Sequence, residues 1–168
     1  MIVVKNTANV VDQVPSPSRY AFFSKESETV VHATSSPTGW VKKNASDFGF
    51  SFSVPSDWVA GDLGPIGSTV SYTNPKDSHD TISFAYDYPR FAFTTQTMEE
   101  RAHEQLYDVW PLYIAGEKGF LGVFTNQALW LAQEEIYIEH GGVTYDISLP
   151  SEPSDTVRTI LSTFSFSR

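Results

Sequence analysis

The chain has 168 residues, of which 40% are hydrophobic and 14% aromatic, enough apolar mass for one folded core and unlike the composition of a disordered segment. Eleven basic residues against twenty acidic ones give a net charge of −9, which argues against binding nucleic-acid phosphates or anionic membranes. There is no cysteine, which excludes disulfides, thiolate metal sites and a cysteine nucleophile, and no apolar run approaches the roughly eighteen residues of a membrane span.

The opening "MIVVKNTANVV" lacks the apolar core and cleavage site of a signal peptide, so the export signal of a secreted form lies outside this numbering. Its apolar patches are interrupted by "VPSPSRY" and later by "TSSPTGW", where Pro, Ser and Gly favour turns and extended backbone. Between them "RYAFFS" and "TVVHAT" have strand composition. Residues 1–46 therefore read as an N-terminal arm with two or three short strands and a linker, and residues 47–168 as the main domain.

From Phe48 the pattern is regular. Phe48, Phe50, Phe52 and Val54 alternate with Gly49, Ser51 and Ser53, the period of a half-buried strand, and Pro55 ends its pairing. "STVSY" and "TISFAYDY" follow as strands, with "TNPKDSHD" as a polar turn between them. The period then changes in "TQTMEERAHEQLYDVW". Thr97 and Glu100 have the spacing of a capping box, and Met98, Ala102, Leu106, Val109 and Trp110 form one helical stripe that Pro111 closes.

Strands resume in "GFLGVFT" and "ALWLA" and lead into "EEIYIEHGGVTYDISL". With Gly141-Gly142 as a two-residue turn, Ile138 faces Tyr145 and Ile136 faces Ile147. Ser154 caps a last helix with the stripe Val157, Ile160, Leu161 and Phe164, and "FSF" adds a short final strand. Antiparallel strands with two helices are an α+β pattern.

The ordered set "FGFSFSVPSDW", "TISFAYD", a capped amphipathic helix, "GGVTYDISL" and "TVRTILSTFSF" resembles the PsbP-like domain of bacterial exported proteins and lipoproteins. The resemblance runs from about Trp40 to Phe166 and leaves the arm outside it. It implies an antiparallel sheet sandwiched between helices, an extracytoplasmic location and an accessory or binding role without a shared catalytic site.

Two groups have metal-ligating residue types. Glu99 and His103 lie one helical turn apart, and Asp77, His79 and Asp80 crowd one turn. Neither completes H-E-x-x-H. A solvated acidic face and a turn-capping aspartate beside an exposed histidine account for the same residues. His140 is expected at the rim of the hairpin. "GPIGS" is not G-x-S-x-G, and "GDLGPIGST" lacks the lysine of a phosphate loop.

Aromatic residues offer a different argument. Trp58 and Trp110 are expected in the core, whereas Tyr88, Arg90, Phe91 and Phe93 of "YPRFAF" are candidates for an exposed partner contact. The expectation is a non-enzymatic exported accessory domain that needs no cofactor and binds a protein partner or cell-surface component. One alternative is a metal-binding protein or metal-assisted hydrolase. The other is a structural subunit assembling by exchange of its N-terminal strand.

Overall fold

The computed structural model of the protein describes residues 29–61, 69–87, 97–126 and 131–167, which form two sheets and two helices. In chain order the strands are β1 (Thr29–Val31), β2 (Trp40–Ala45), β3 (Phe50–Pro55), β4 (Val59–Ala60), β5 (Thr69–Asn74), β6 (Asp77–Asp87), β7 (Tyr107–Ile114), β8 (Glu117–Asn126), β9 (Leu131–His140), β10 (Val143–Pro150) and β11 (Ser165–Phe166). Helix α1 (Met98–Gln105) joins β6 to β7, and α2 (Asp155–Ser162) joins β10 to β11. Eight strands make the larger sheet in the order β1-β7-β8-β9-β10-β6-β5-β4, and three make the smaller, β11-β3-β2. Pairing is antiparallel throughout except where β1 runs parallel to β7.

The alternation of Phe50, Phe52 and Val54 places these side chains in the main core, with Ile82 and Phe84 of β6, Ile147 of β10 and Val157, Ile160, Leu161 and Phe164 of α2 and its exit. The Phe52 and Phe84 rings stack at 4.3 Å, and Phe84 and Phe164 stack at 5.6 Å. The opposite side of β3 differs from the half-buried expectation, because Ser51 and Ser53 are buried as well. Their polar groups are matched: Ser51 Oγ lies 2.9 Å from Ser165 Oγ, and the Ser53 N–H donates to Thr163 Oγ1 at 2.8 Å. A buried hydroxyl is tolerated where it finds such a partner.

On β8 and β9 the two side-chain faces enter different apolar clusters. Leu121, Ile136 and Ile138 join the main core, whereas Phe120 and Tyr137 join Ala102 and Leu106 beneath α1. Gly122 makes this approach possible, since a Cβ there would fall 2.7 Å from Leu106 Cβ and 3.0 Å from the Tyr107 carbonyl oxygen. The capping box of α1 is present: Glu100 N–H donates to Thr97 Oγ1, and Thr97 N–H donates to a Glu100 carboxylate oxygen.

That helix ends earlier than its stripe predicts. Leu106 is already extended, and Tyr107 onward forms β7, with an irregularity at Asp108 where φ is +50°. Two periodicities compete over Leu106 to Ile114. The two-residue spacing of Trp110, Leu112 and Ile114 prevails because it buries all three in the main core, and Pro111 disfavours helical backbone at Trp110. The "TNPKDSHD" turn is also shorter than expected, as Asp77 to Asp80 begin β6 and only Pro75 and Lys76 turn. The 141–142 hairpin has the predicted register, with Ile138 opposite Tyr145 and Ile136 opposite Ile147.

Replacing Phe52 by Ala should lower unfolding free energy by about 3–5 kcal/mol, the usual cost of deleting a buried phenyl ring. Urea denaturation of the two proteins measures it. A loss below about 1 kcal/mol is incompatible with the packing of Phe52 on Phe84.

Candidate functional site

The sequence candidates separate in space. Asp77, His79 and Asp80 sit at the tip of the β5–β6 hairpin, where their polar atoms serve the turn. Asp77 Oδ1 accepts the His79 N–H at 3.0 Å, Asn74 Oδ1 accepts the Lys76 N–H at 3.0 Å, and Asn74 Nδ2 reaches Asp80 Oδ2 at 3.4 Å. All three line a groove of about 590 Å³ with Thr81, Gln133, Ser148 and the Ser151–Ser154 region. Glu99 and His103 are exposed on α1 and contribute nothing to that lining. Among the described residues no three His, Asp or Glu side chains converge as metal ligands. Tyr88, Arg90, Phe91 and Phe93 lie outside the described residues, as does the arm before Thr29.

A second concavity, of about 470 Å³, joins parts of the chain that no local pattern connects: Val31 to Ala33 after β1, Ala115-Gly116 between β7 and β8, His140 at the end of β9, and Phe164 to Ser167. The predicted hairpin-rim position of His140 becomes a wall of this pocket. Its Nδ1 lies 2.8 Å from Glu117 Oε1, and its ring stacks on Phe166 with centroids 4.1 Å apart and planes 9° from parallel. The β1 exit is fixed nearby by Thr34, whose N–H donates to the Ser162 carbonyl at 3.0 Å. Ala115 has φ of +52°, a left-handed conformation costing an L-residue about 1–2 kcal/mol.

A third cluster, beneath α1, escaped sequence reasoning. Glu135 and Tyr137 share one face of β9, and both are buried. Gln133 Nε2 donates to Glu135 Oε1 at 2.6 Å, while the Tyr137 hydroxyl is 3.1 Å from both Glu135 Oε2 and Gln105 Oε1. A phenol has one hydrogen to donate. Its hydroxyl hydrogen is therefore shared between the Glu135 carboxyl and the Gln105 side-chain oxygen. Burial pushes the Glu135 carboxyl above its ordinary range, against the opposing hydrogen bonds from Gln133 and Tyr137. Burial likewise drives Tyr137 far upward, reinforced by the Glu135 and Asp146 charges and opposed by Arg101, whose guanidinium carbon is 5.8 Å from the ring centroid. The signal available in sequence was the Glu135–Tyr137 alternation inside "EEIYI"; its partner Gln105 is remote in the chain.

A carboxyl whose pKa is raised by folding contributes its stability below the unfolded value, near 4.3 for glutamate, and that contribution is lost as pH rises through the folded value. Wild type should therefore lose stability with rising pH over that interval relative to Glu135→Gln, which keeps the shape and removes the titration. Chemical denaturation at several pH values gives the difference. Parallel pH profiles would refute a raised Glu135.

No family model matches the chain, and no curated protein matches it. Among solved structures it is similar to the solution structure of cyanobacterial PsbP (CyanoP) from Synechocystis sp. PCC 6803, with TM-score 0.53 and 12% identity, covering 78% of this chain and 94% of that one. It is also similar to a crystal structure from Bacteroides thetaiotaomicron VPI-5482, with TM-score 0.54 and 13% identity; 78% of this chain is covered, spanning 50% of that one. Identities this low speak for the fold and for nothing finer. The mostly antiparallel sheets with two helices, ordered as described, have the PsbP-like fold.

Proposed function

We propose that the protein is a non-enzymatic, extracytoplasmic accessory domain that binds a protein partner along the flank where β2 and β4 terminate its two sheets. The observation carrying this reading is the reach of β2, the end of one sheet, toward the end of the other that β4 closes. β2 is the last strand of the smaller sheet and β4 the last of the larger. The Lys43 ammonium of β2 is 5.4 Å from the ring centroid of Tyr72, the β5 residue that pairs with Ala60 of β4. Each edge also exposes an aliphatic side chain, Val41 at 42% and Val59 at 56%.

An outer strand edge offers N–H and C=O groups to an extended partner segment, while side chains set its specificity. Lys42 and Lys43 on β2 discourage indiscriminate pairing of edges and favour a partner segment bearing acidic side chains. The accessory role and extracytoplasmic setting rest on the PsbP-like fold. Among the described residues, no helix is long and apolar enough to cross a membrane.

A photoreactive side chain placed at residue 41 or 59 should give one discrete adduct in extracts of the producing cell, whereas the same group at residue 103 on α1 should not. Equal labelling from residue 103 would overturn the assignment. An adduct of twice the chain mass, lost on deleting Met1 to Val14, would instead favour assembly through the arm. Purified protein should not turn over ester, phosphate or peptide substrates; turnover abolished by His79→Ala or His103→Ala would favour the metal-assisted hydrolase.

A further inference from the structure

We infer that the concavity bordered by His140 and Phe166 binds a planar ligand bearing one carboxylate. This site is separate from the β2–β4 flank and does not depend on it. Its walls combine apolar side chains, Val31, Ala33, Ala115, Phe164 and Phe166, with the imidazoles of His32 and His140. A pocket of a few hundred Å³ with apolar walls and a few convergent polar groups has the usual form of a small-ligand site.

Charge selects the ligand class. The chain carries −9 overall, and the groove at the β5–β6 hairpin is lined by Asp77, Asp80 and Glu152. The His140 concavity has neither carboxylate nor ammonium side chains in its lining; an anion there meets two imidazoles, and the neighbouring Glu117 carboxylate is engaged at His140 Nδ1. Hydroxyls of Ser165 and Ser167 also line it.

The aromatic wall of Phe164 and Phe166 suits a planar body. His140 and Phe166 are nearly parallel in a 4.1 Å stack, and the imidazole is held from its other side by Glu117 at Nδ1. Nδ1 is therefore committed, and Nε2 is the ring nitrogen left for a ligand. Binding of a carboxylate at Nε2 places the imidazolium between two carboxylates, Glu117 and the ligand, with one N–H donated to each. The ligand ring lies against the apolar wall. No covalent bond changes, and one proton is taken up when His140 starts neutral.

Benzoate is the probe and benzamide its uncharged control, titrated by calorimetry at pH 6 and pH 8 with histidine ring signals followed by NMR. The expected result is saturable benzoate binding that is at least about tenfold tighter than benzamide, the scale of one charge-assisted hydrogen bond, and stronger at pH 6. His140 and His32 signals should move. His140→Phe, which keeps a stacking ring and removes the N–H, should weaken benzoate to the level of benzamide; Glu117→Gln should reduce the pH dependence. Equal binding of benzoate and benzamide, undiminished binding by a folded His140→Phe variant, or no saturation would overturn the proposal. Should His140→Phe fail to fold, the acid–amide comparison on wild type still decides. A peptide ending in phenylalanine with a free C-terminus, compared with its amidated form, separates the sources: tighter binding than benzoate assigns a protein C-terminus, and weaker binding assigns a small acid, either outcome supporting the site.

Discussion

Phe52 lies 4.3 Å from Phe84 ring to ring, and this contact joins the smaller sheet to the larger. Phe50 extends it, with its ring 5.5 Å from Phe84, 5.4 Å from Phe164 and edge-on to Tyr145 at 5.9 Å. Offset and edge-to-face aromatic pairs add attraction beyond the area they bury. Because four sequence regions supply these rings, β3, β6, β10 and the exit of α2, they cannot pack unless both sheets and the second helix are in place. The Tyr145 hydroxyl adds directionality by donating to the Phe48 carbonyl at 2.9 Å.

That junction also shapes the two surfaces proposed to bind. Docking β3 across the larger sheet brings Lys43 of β2 over the ring of Tyr72 on β5. At another part of the same junction, β11 carries Phe166 to the imidazole of His140. The pocket beside it exists only where the β1 exit, two hairpin ends and the terminal strand approach each other. The two surfaces differ in chemistry: the flank presents strand edges with lysines, the pocket imidazoles over apolar walls.

The cluster beneath α1 shows a different constraint. Here the larger sheet offers Phe120 and Tyr137 to Ala102 and Leu106, but the same face of β9 also carries Glu135. Covering that face with a helix removes water from a carboxyl, and hydrogen bonds from Gln133 and Tyr137 replace some of the lost solvation. The helix is thus held both by apolar packing and by a polar chain ending on its own Gln105. Buried polar groups of this kind favour one arrangement of the elements when every member finds a partner.

Local sequence determined the alternation of β3 and β6, the capping box at Thr97 and Glu100, the register across Gly141-Gly142, and α2 with its apolar stripe. These features depend on spacings of two, three or four residues and on turn chemistry, so a short window contains their cause. Tertiary structure decided that Val109 and Trp110 leave the helix for opposite sides of a strand, because pairing with β8 and burial in the core outweigh a helical spacing that local sequence also permits. It decided that Ser51 and Ser53 are buried, since Ser165 and Thr163 come from the far end of the chain. The candidate site was legible only in fragments: His140 was placed at a hairpin rim, but Glu117, Phe166 and the residues after β1 become its neighbours through long-range pairing. A single strand encodes which side chains alternate; which surface closes over each side is fixed only when distant segments meet.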